Sequence, residues 1–207
     1  GAARSFDRIQ VNLAVVAVDP GLDLAALGIE LRLVCVDLDA ACADDVALPD
    51  AVMQRAARFV RTADRRRYLA SQAALRRAVG SAGRWIEGAH GKTALAEPPP
   101  HFNLSRRDGW AAIGVSGTHE IGVDLETLRP IDDASELAAL HFTRRERAGV
   151  TDAPSCLRVW TRKEACMKAT GLGLALAPAS LECGAHALAL RVRIEMSQRA
   201  WWLLVHT

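Results

Sequence analysis

Apolar positions along the chain fall into two alternating registers. Runs 11–18 (VNLAVVAV) and 31–38 (LRLVCVDL) are rich in Val and Leu, and Asp19-Pro20-Gly21 supplies turn chemistry between them, so both are predicted as strands. Residues 49–60 are predicted as a helix, and a stronger helical pattern runs from Asp64 to Val79. There Leu69, Ala73 and Leu75 interleave with Arg65, Arg66, Arg76 and Arg77, and Gly80 ends the pattern. Residues 81–100 show no period and are expected to be irregular. Strands are predicted at 101–104, 110–116 and 119–126, helices at 134–149 and 154–169, and strands again at 187–196 and 200–206. Gly171 and Gly173 close the last helix.

The pattern contains a faint repeat. Val36-Asp37-Leu38-Asp39 is echoed by Val123-Asp124-Leu125-Glu126, and each copy is followed by a long helix that ends at glycine. This predicts an α+β pseudo-dimer of two similar halves, residues 31–118 and 119–207. Each half would be a small antiparallel-rich sheet packed on a long helix, with residues 1–30 as an N-terminal segment. The first half ends in a strand at 110–116, and a true repeat needs an equivalent after Trp201-Trp202. Residues 11–18 have the composition for that place. They are therefore expected to join the second half's sheet beside 200–206, as in a circular permutation; the alternative is an unrelated N-terminal extension.

Composition narrows the function classes. The chain has 207 residues, half of them hydrophobic and 24% charged, with a formal net charge of +2. That balance argues against wholesale coating of nucleic acid, although 23 of the 26 basic residues are Arg and many cluster between Arg55 and Arg77. The longest apolar run near the start is about eight residues, far below the roughly 20 that a membrane span needs. Five cysteines without a C-x-x-C pair argue for reduced thiols, not a disulfide or zinc framework, and for a cytoplasmic protein.

Five constellations could carry chemistry, two of them the loop pair Gly91-Lys92 and the run Asn103-Leu104-Ser105-Arg106-Arg107. Asp124 and Glu126 alternate on a strand and so share a face, which brings together two carboxylates of the kind that a hard divalent cation neutralises. Trp160, Glu164 and Lys168 share a helix face at i, i+4 and i+8. The Arg cluster could bind phosphate through guanidinium forks. Taken singly, each is equally consistent with a solvated or core surface.

In this order, however, the segments resemble the surfactin-synthetase-activating type of 4′-phosphopantetheinyl transferase. The likeness is carried by Arg67–Arg76 (RYLASQAALR), Gly91-Lys92, His101-Phe102-Asn103-Leu104-Ser105, Ile121–Glu126 (IGVDLE) and Trp160–Lys168 (WTRKEACMK). It implies a Mg2+-dependent enzyme, with Mn2+ as the other candidate metal. Such an enzyme moves the phosphopantetheine arm of coenzyme A to a serine of an acyl or peptidyl carrier protein, in fatty acid biosynthesis or secondary metabolism, and releases 3′,5′-ADP. The implied site lies between the halves of a monomer that serves neither nucleic acid nor membrane.

By the same resemblance, Asp124, Glu126 and Glu164 are the metal-binding acids, and Asp124, Glu164 and Lys168 are the catalytic groups. Arg67, Arg76, Gly91, Lys92, Ser105, Arg106, Lys163 and Lys168 are the coenzyme A contacts. The chain departs from the family at Arg106, where a His is usual, and at Gly91-Lys92-Thr93, where Pro usually follows Lys. The departures keep open a catalytically weak coenzyme A-binding homologue. A basic nucleic-acid-binding module is the remaining alternative.

Overall fold

The structure is a computed structural model, and it describes residues 15–16, 31–80, 83–88, 90–183, 192–196 and 199–206. Its architecture is α+β with antiparallel sheets. The smaller sheet has the order β2-β6-β5, from strands β2 (Leu31–Asp37), β5 (His101–Arg107) and β6 (Trp110–Ser116). The larger has the order β1-β8-β9-β7, from β1 (Val15–Val16), β7 (Gly122–Thr127), β8 (Val192–Met196) and β9 (Arg199–His206). A hairpin of β3 (Trp85–Glu87) and β4 (Thr93–Leu95) lies in the stretch expected to be irregular. Its strands are too short to show an apolar period.

Of the segment 11–18, the described part is Val15–Val16. It pairs antiparallel with β8, Val15 opposite Ile194. The expected neighbour, the strand at 199–206, instead lies between β8 and β7.

Strand β5 continues through Arg107, three residues past the expected end. It turns into β6 through Asp108-Gly109, with Arg107 opposite Trp110. Both loop residues have positive φ, 46° and 87°, as a two-residue hairpin with the right-handed strand twist requires. Asp108 and Gly109 are residue types that tolerate this backbone.

Short helices precede the long helix in each part of the chain: α1 (Asp50–Ala57) precedes α2 (Thr62–Val79), and α3 (Ala134–His141) and α4 (Arg144–Ala148) precede α5 (Ala153–Thr170). One helix was expected over 134–149. The chain breaks at Phe142-Thr143 because Thr143 caps α4 in a capping box with Glu146. Helix α5 starts in the same way: Asp152 accepts from the Ser155 N–H at 2.8 Å and Ser155 Oγ accepts from the Asp152 N–H at 3.0 Å.

Helix α2 lies on the smaller sheet through Ala70, Ala74, Leu75 and Ala78, which pack against Val36, Phe102, Ala111 and Ile113. The small residues at i, i+4 and i+8 let the helix approach closely. Helix α5 lies on β7 with still less clearance. A Cβ on Gly122 would fall 1.9 Å from the Ala165 carbonyl oxygen and 2.4 Å from the Ala169 nitrogen, so only glycine fits there.

Candidate active site

Strand β5 joins the two sheets by its side chains. Its odd positions face β7 and its even positions face α2, as alternation dictates. Asn103 Oδ1 accepts from the Val123 N–H at 2.8 Å, and Ser105 Oγ accepts from the Leu125 N–H at 3.2 Å. At the next odd position Arg107 Nε lies 3.4 Å from Glu126 Oε2. Just past the strand, Asp108 Oδ2 accepts from Thr127 Oγ1 at 2.5 Å. The Asn-x-Ser segment thus serves as a side-chain seam along the edge of β7.

At the middle of this seam sits Asp124, which is 4% exposed. Its Oδ1 accepts from Lys168 Nζ at 2.6 Å and from Ser105 Oγ at 3.1 Å. Lys168 Nζ also donates to Ser105 Oγ at 3.3 Å. The serine hydroxyl therefore gives one hydrogen bond and accepts two, its full capacity. The close packing of α5 on Gly122 brings Lys168 within reach of Asp124.

Two buried carboxylate oxygens beside this knot, Asp124 Oδ2 and Glu126 Oε2, have no hydrogen-bond partner. Burial raises the Glu126 pKa and Asp124 adds to the rise, while Arg107, Arg129 and Lys168 oppose it. Arg129 approaches Glu126 Oε2 at 3.5 Å. Burial likewise raises Glu164, with Lys168 opposing and Asp124 adding. Leaving a buried carboxylate oxygen unpaired is costly. Oxygen donors of this kind suit a hard divalent cation, so Asp124 and Glu126 fit one.

Glu164 stands one turn before Lys168 on α5, near enough to Lys168 and Asp124 to feel both charges. Among the described residues no three His, Cys, Asp or Glu side chains stand together as a preformed ligand set.

The knot lies in the wall of a cleft of about 470 Å³ that Arg67, Arg106 and Arg107 also line. Arg106 occupies an even position of β5 and so points at α2. Its guanidinium lies 4.9 Å from the Tyr68 ring centroid, and among the described residues its side chain bonds only to Ser71 Oγ, at 3.5 Å. Partial desolvation by its surroundings lowers its pKa from the usual guanidinium value. An exposed cation at the cleft wall, with an aromatic face and no carboxylate partner among the described residues, is prepared for an anion. Arg67 differs: Asp39 holds its fork at 2.8 and 2.6 Å.

Other expected contacts lie elsewhere. Lys163 is fully buried behind α5, paired to Glu146 at 2.7 Å and bonded to the carbonyls of Pro178 and Leu181. It anchors the segment after α5 and does not reach the cleft. Arg76 donates to Gln72 O and Oε1 at 3.2 and 2.9 Å and stacks 4.8 Å from the Trp85 ring. Lys92 donates to Glu120 Oε2 at 2.7 Å, Ala169 O at 3.0 Å and Ile121 O at 3.3 Å. All three of its hydrogens are thereby used in tying the β3–β4 hairpin to the end of α5. Gly91 supplies the turn before it, with φ of 81°. Trp160 packs on the Ala138–Phe142–Cys156 cluster, not on the site.

Sequence reasoning did not single out Phe59, and it gave no role of their own to Tyr68, Arg107 and Asp108, all of which line the cleft. The alternation of HFNLSRR, had the strand been extended to Arg107, would have flagged Arg107 beside Ser105.

Residues 120–206 match the family model for the 4′-phosphopantetheinyl transferase superfamily. A Salmonella typhi protein named 4′-phosphopantetheinyl transferase AcpT is 36% identical over 131 residues, covering 60% of this chain and 67% of the relative. The 4′-phosphopantetheinyl transferase HetI of Nostoc sp. is 33% identical over 175 residues, covering 75% of this chain and 74% of its own. The 4′-phosphopantetheinyl transferase psf-1 of Bacillus pumilus is 32% identical over 92 residues, 41% of this chain and 38% of the relative. With nearly three quarters of the Nostoc relative covered at 33% identity, this chain belongs to the 4′-phosphopantetheinyl transferase superfamily.

Proposed function

We propose that the protein is a transferase of the surfactin-synthetase-activating type, acting in the cytoplasm. It moves the 4′-phosphopantetheine arm of coenzyme A to a serine hydroxyl of an acyl or peptidyl carrier protein and releases 3′,5′-ADP. The observation that carries this reading is the buried Asp124–Lys168–Ser105 knot in the wall of an arginine-lined cleft. The two α+β parts are read as related halves, with Val15–Val16 belonging to the second.

A divalent cation, Mg2+ in this reading, would be held by the carboxylates of Asp124 and Glu126, with Glu164 close behind, and would supply charge neutralisation at the pyrophosphate. Lys168, 28% exposed at the cleft wall, offers its remaining hydrogen to a phosphate oxygen as charge builds on the 5′-phosphate of the leaving 3′,5′-ADP. Arg106 holds another phosphate charge through its planar fork, and Arg67, whose fork Asp39 occupies, adds positive charge to the cleft wall. The carrier serine oxygen forms the new bond to phosphorus while the bond to the bridging oxygen breaks. Glu164, whose burial favours protonation, is assigned to receive the serine proton.

Mass spectrometry of an apo carrier protein incubated with the enzyme, coenzyme A and Mg2+ tests the reading. A gain of about 340 Da, one phosphopantetheine group, is expected from this phosphoryl transfer. An unchanged mass across acyl and peptidyl carriers overturns it.

A further inference from the structure

The tip of the α1–α2 hairpin carries an unbalanced charge that the site does not use. Arg58 ends α1, Arg61 precedes α2, and Arg65 follows Arg61 by one helical turn on the same face. All three are exposed. Among the described residues none of their side chains makes a hydrogen bond or ion pair. The neighbouring arginines are committed: Arg66 and Arg67 to Asp39, Arg77 to Asp45, and Arg76 to Gln72. Arg55 belongs to the cleft side, where it opposes the Arg106 charge.

Between these cations stands Val60, 99% exposed. The next residue back, Phe59, turns inward, stacks on Tyr68 at 5.2 Å and lines the cleft together with Asp64. The tip is therefore the rim of the cleft mouth. Three like charges gathered around an apolar side chain repel one another in the free protein, and an acidic surface relieves that repulsion.

We propose that Arg58, Arg61 and Arg65, with Val60 at their centre, are the docking surface for an acidic face of the carrier protein. This rests on the transfer reading above, in which the acceptor serine arrives on a partner. A partner seated on this rim presents its serine to the Asp124–Lys168 wall across the cleft. Contacts at a solvent-exposed rim act over about 10 Å at 0.1 M salt, so the docking is salt-sensitive and acts on encounter more than on chemistry.

The test is steady-state transfer with the full chain carrying Arg58→Glu, Arg61→Glu and Arg65→Glu, beside a milder triple change to Gln. The expected result is a carrier KM raised about tenfold or more in the Glu variant, and less in the Gln variant, with kcat and the coenzyme A KM unchanged. Raising salt from 50 to 300 mM should raise the wild-type carrier KM and leave that of the Glu variant level or lower. Val60→Ser should raise the carrier KM about threefold. An unchanged carrier KM in both triple variants, while the wild type transfers normally, overturns the docking surface and leaves the transfer reading intact.

If the wild type transfers nothing, the transfer reading fails by itself. The surface is then judged by biolayer interferometry with an acidic carrier protein whose acceptor serine is changed to Ala. Salt-sensitive wild-type binding that the Glu variant loses supports it; no wild-type binding, or equal binding by both, overturns it. Tighter binding of a 20-base-pair DNA duplex than of the carrier, lost in the Glu variant, also overturns it and assigns the rim to nucleic acid.

Discussion

Gly122 and Ala165 meet backbone to backbone: a methyl group on Gly122 would stand 1.9 Å from the Ala165 carbonyl oxygen. This contact fixes how closely α5 lies on β7, and so holds Lys168 Nζ 2.6 Å from Asp124 Oδ1. The site is built on the closeness of two backbones, not on a loop.

Gly122→Ala is accordingly expected to be among the most damaging single changes. The added methyl must push α5 away or twist β7, at a cost of about 3 kcal/mol or more. Urea unfolding followed by circular dichroism should show the midpoint fall, and a midpoint within error of the wild type would contradict the packing described.

Asp124→Asn keeps the shape and leaves an amide oxygen to accept from Lys168. It removes the charge that holds a cation and orients the ammonium. Transfer to a carrier protein should drop about 100-fold or more, with the urea midpoint little changed. Turnover within a few-fold of the wild type would remove Asp124 from the machinery.

Arg106→Ala tests the anion role of the guanidinium at the cleft wall. A lost charge-assisted contact should weaken coenzyme A binding about 10- to 100-fold. Calorimetry with coenzyme A and dephospho-coenzyme A separates the target: a smaller loss with the dephospho form assigns Arg106 to the 3′-phosphate, and equal losses assign it elsewhere.

Lys163→Met should act on stability, not on coenzyme A. It strands the buried Glu146 carboxylate, at a cost of about 3–5 kcal/mol, while coenzyme A affinity per folded molecule stays unchanged. Weaker coenzyme A binding without a fall in stability would return Lys163 to the cleft.

Glu146 also gives the acid dependence a sign. Burial pushes its pKa up, but the N–H of Cys183, the Lys163 ammonium and the N–H of Thr143 outweigh it, and the net shift is downward. The unfolded chain therefore binds the proton more readily, and stability rises with pH across this range. The contribution is complete above the ordinary glutamate value of 4.5 and is lost as pH falls through the lower folded value. Glu146→Gln should flatten that part of the urea-midpoint profile between about pH 3 and 5. An unchanged acid slope would refute the linkage.

Removing residues 1–19 tests the pairing of Val15–Val16 with β8. The deletion exposes the edge of β8 and should lower the urea midpoint. A full-length midpoint after deletion would show that the pairing adds nothing to stability.

Much of this protein follows from local chemistry. The long helices are legible because an apolar stripe, a cap and a terminal glycine are all encoded within one segment. Asp124 with Glu126, and Glu164 with Lys168, were recognisable because strand and helix periods fix which side chains share a face. What the period cannot give is the identity of whatever lies against that face. Lys163 and Lys168 are five residues apart on one helix, yet one meets Glu146 in the interior and the other meets Asp124 at the cleft. Lys92 looked like a phosphate ligand until its three acceptors, drawn from a loop, a strand end and a helix end, were brought to it. Arg76 and Arg106 read alike in sequence, but Trp85 covers the first and the second lies over Tyr68 facing the cleft. The sequence by itself determined the elements and the faces on which the chemistry stands. Only the tertiary structure decided which charges meet a partner within the fold and which are left for a ligand, because those partners come from distant segments whose approach is set by packing contacts such as Gly122 on Ala165.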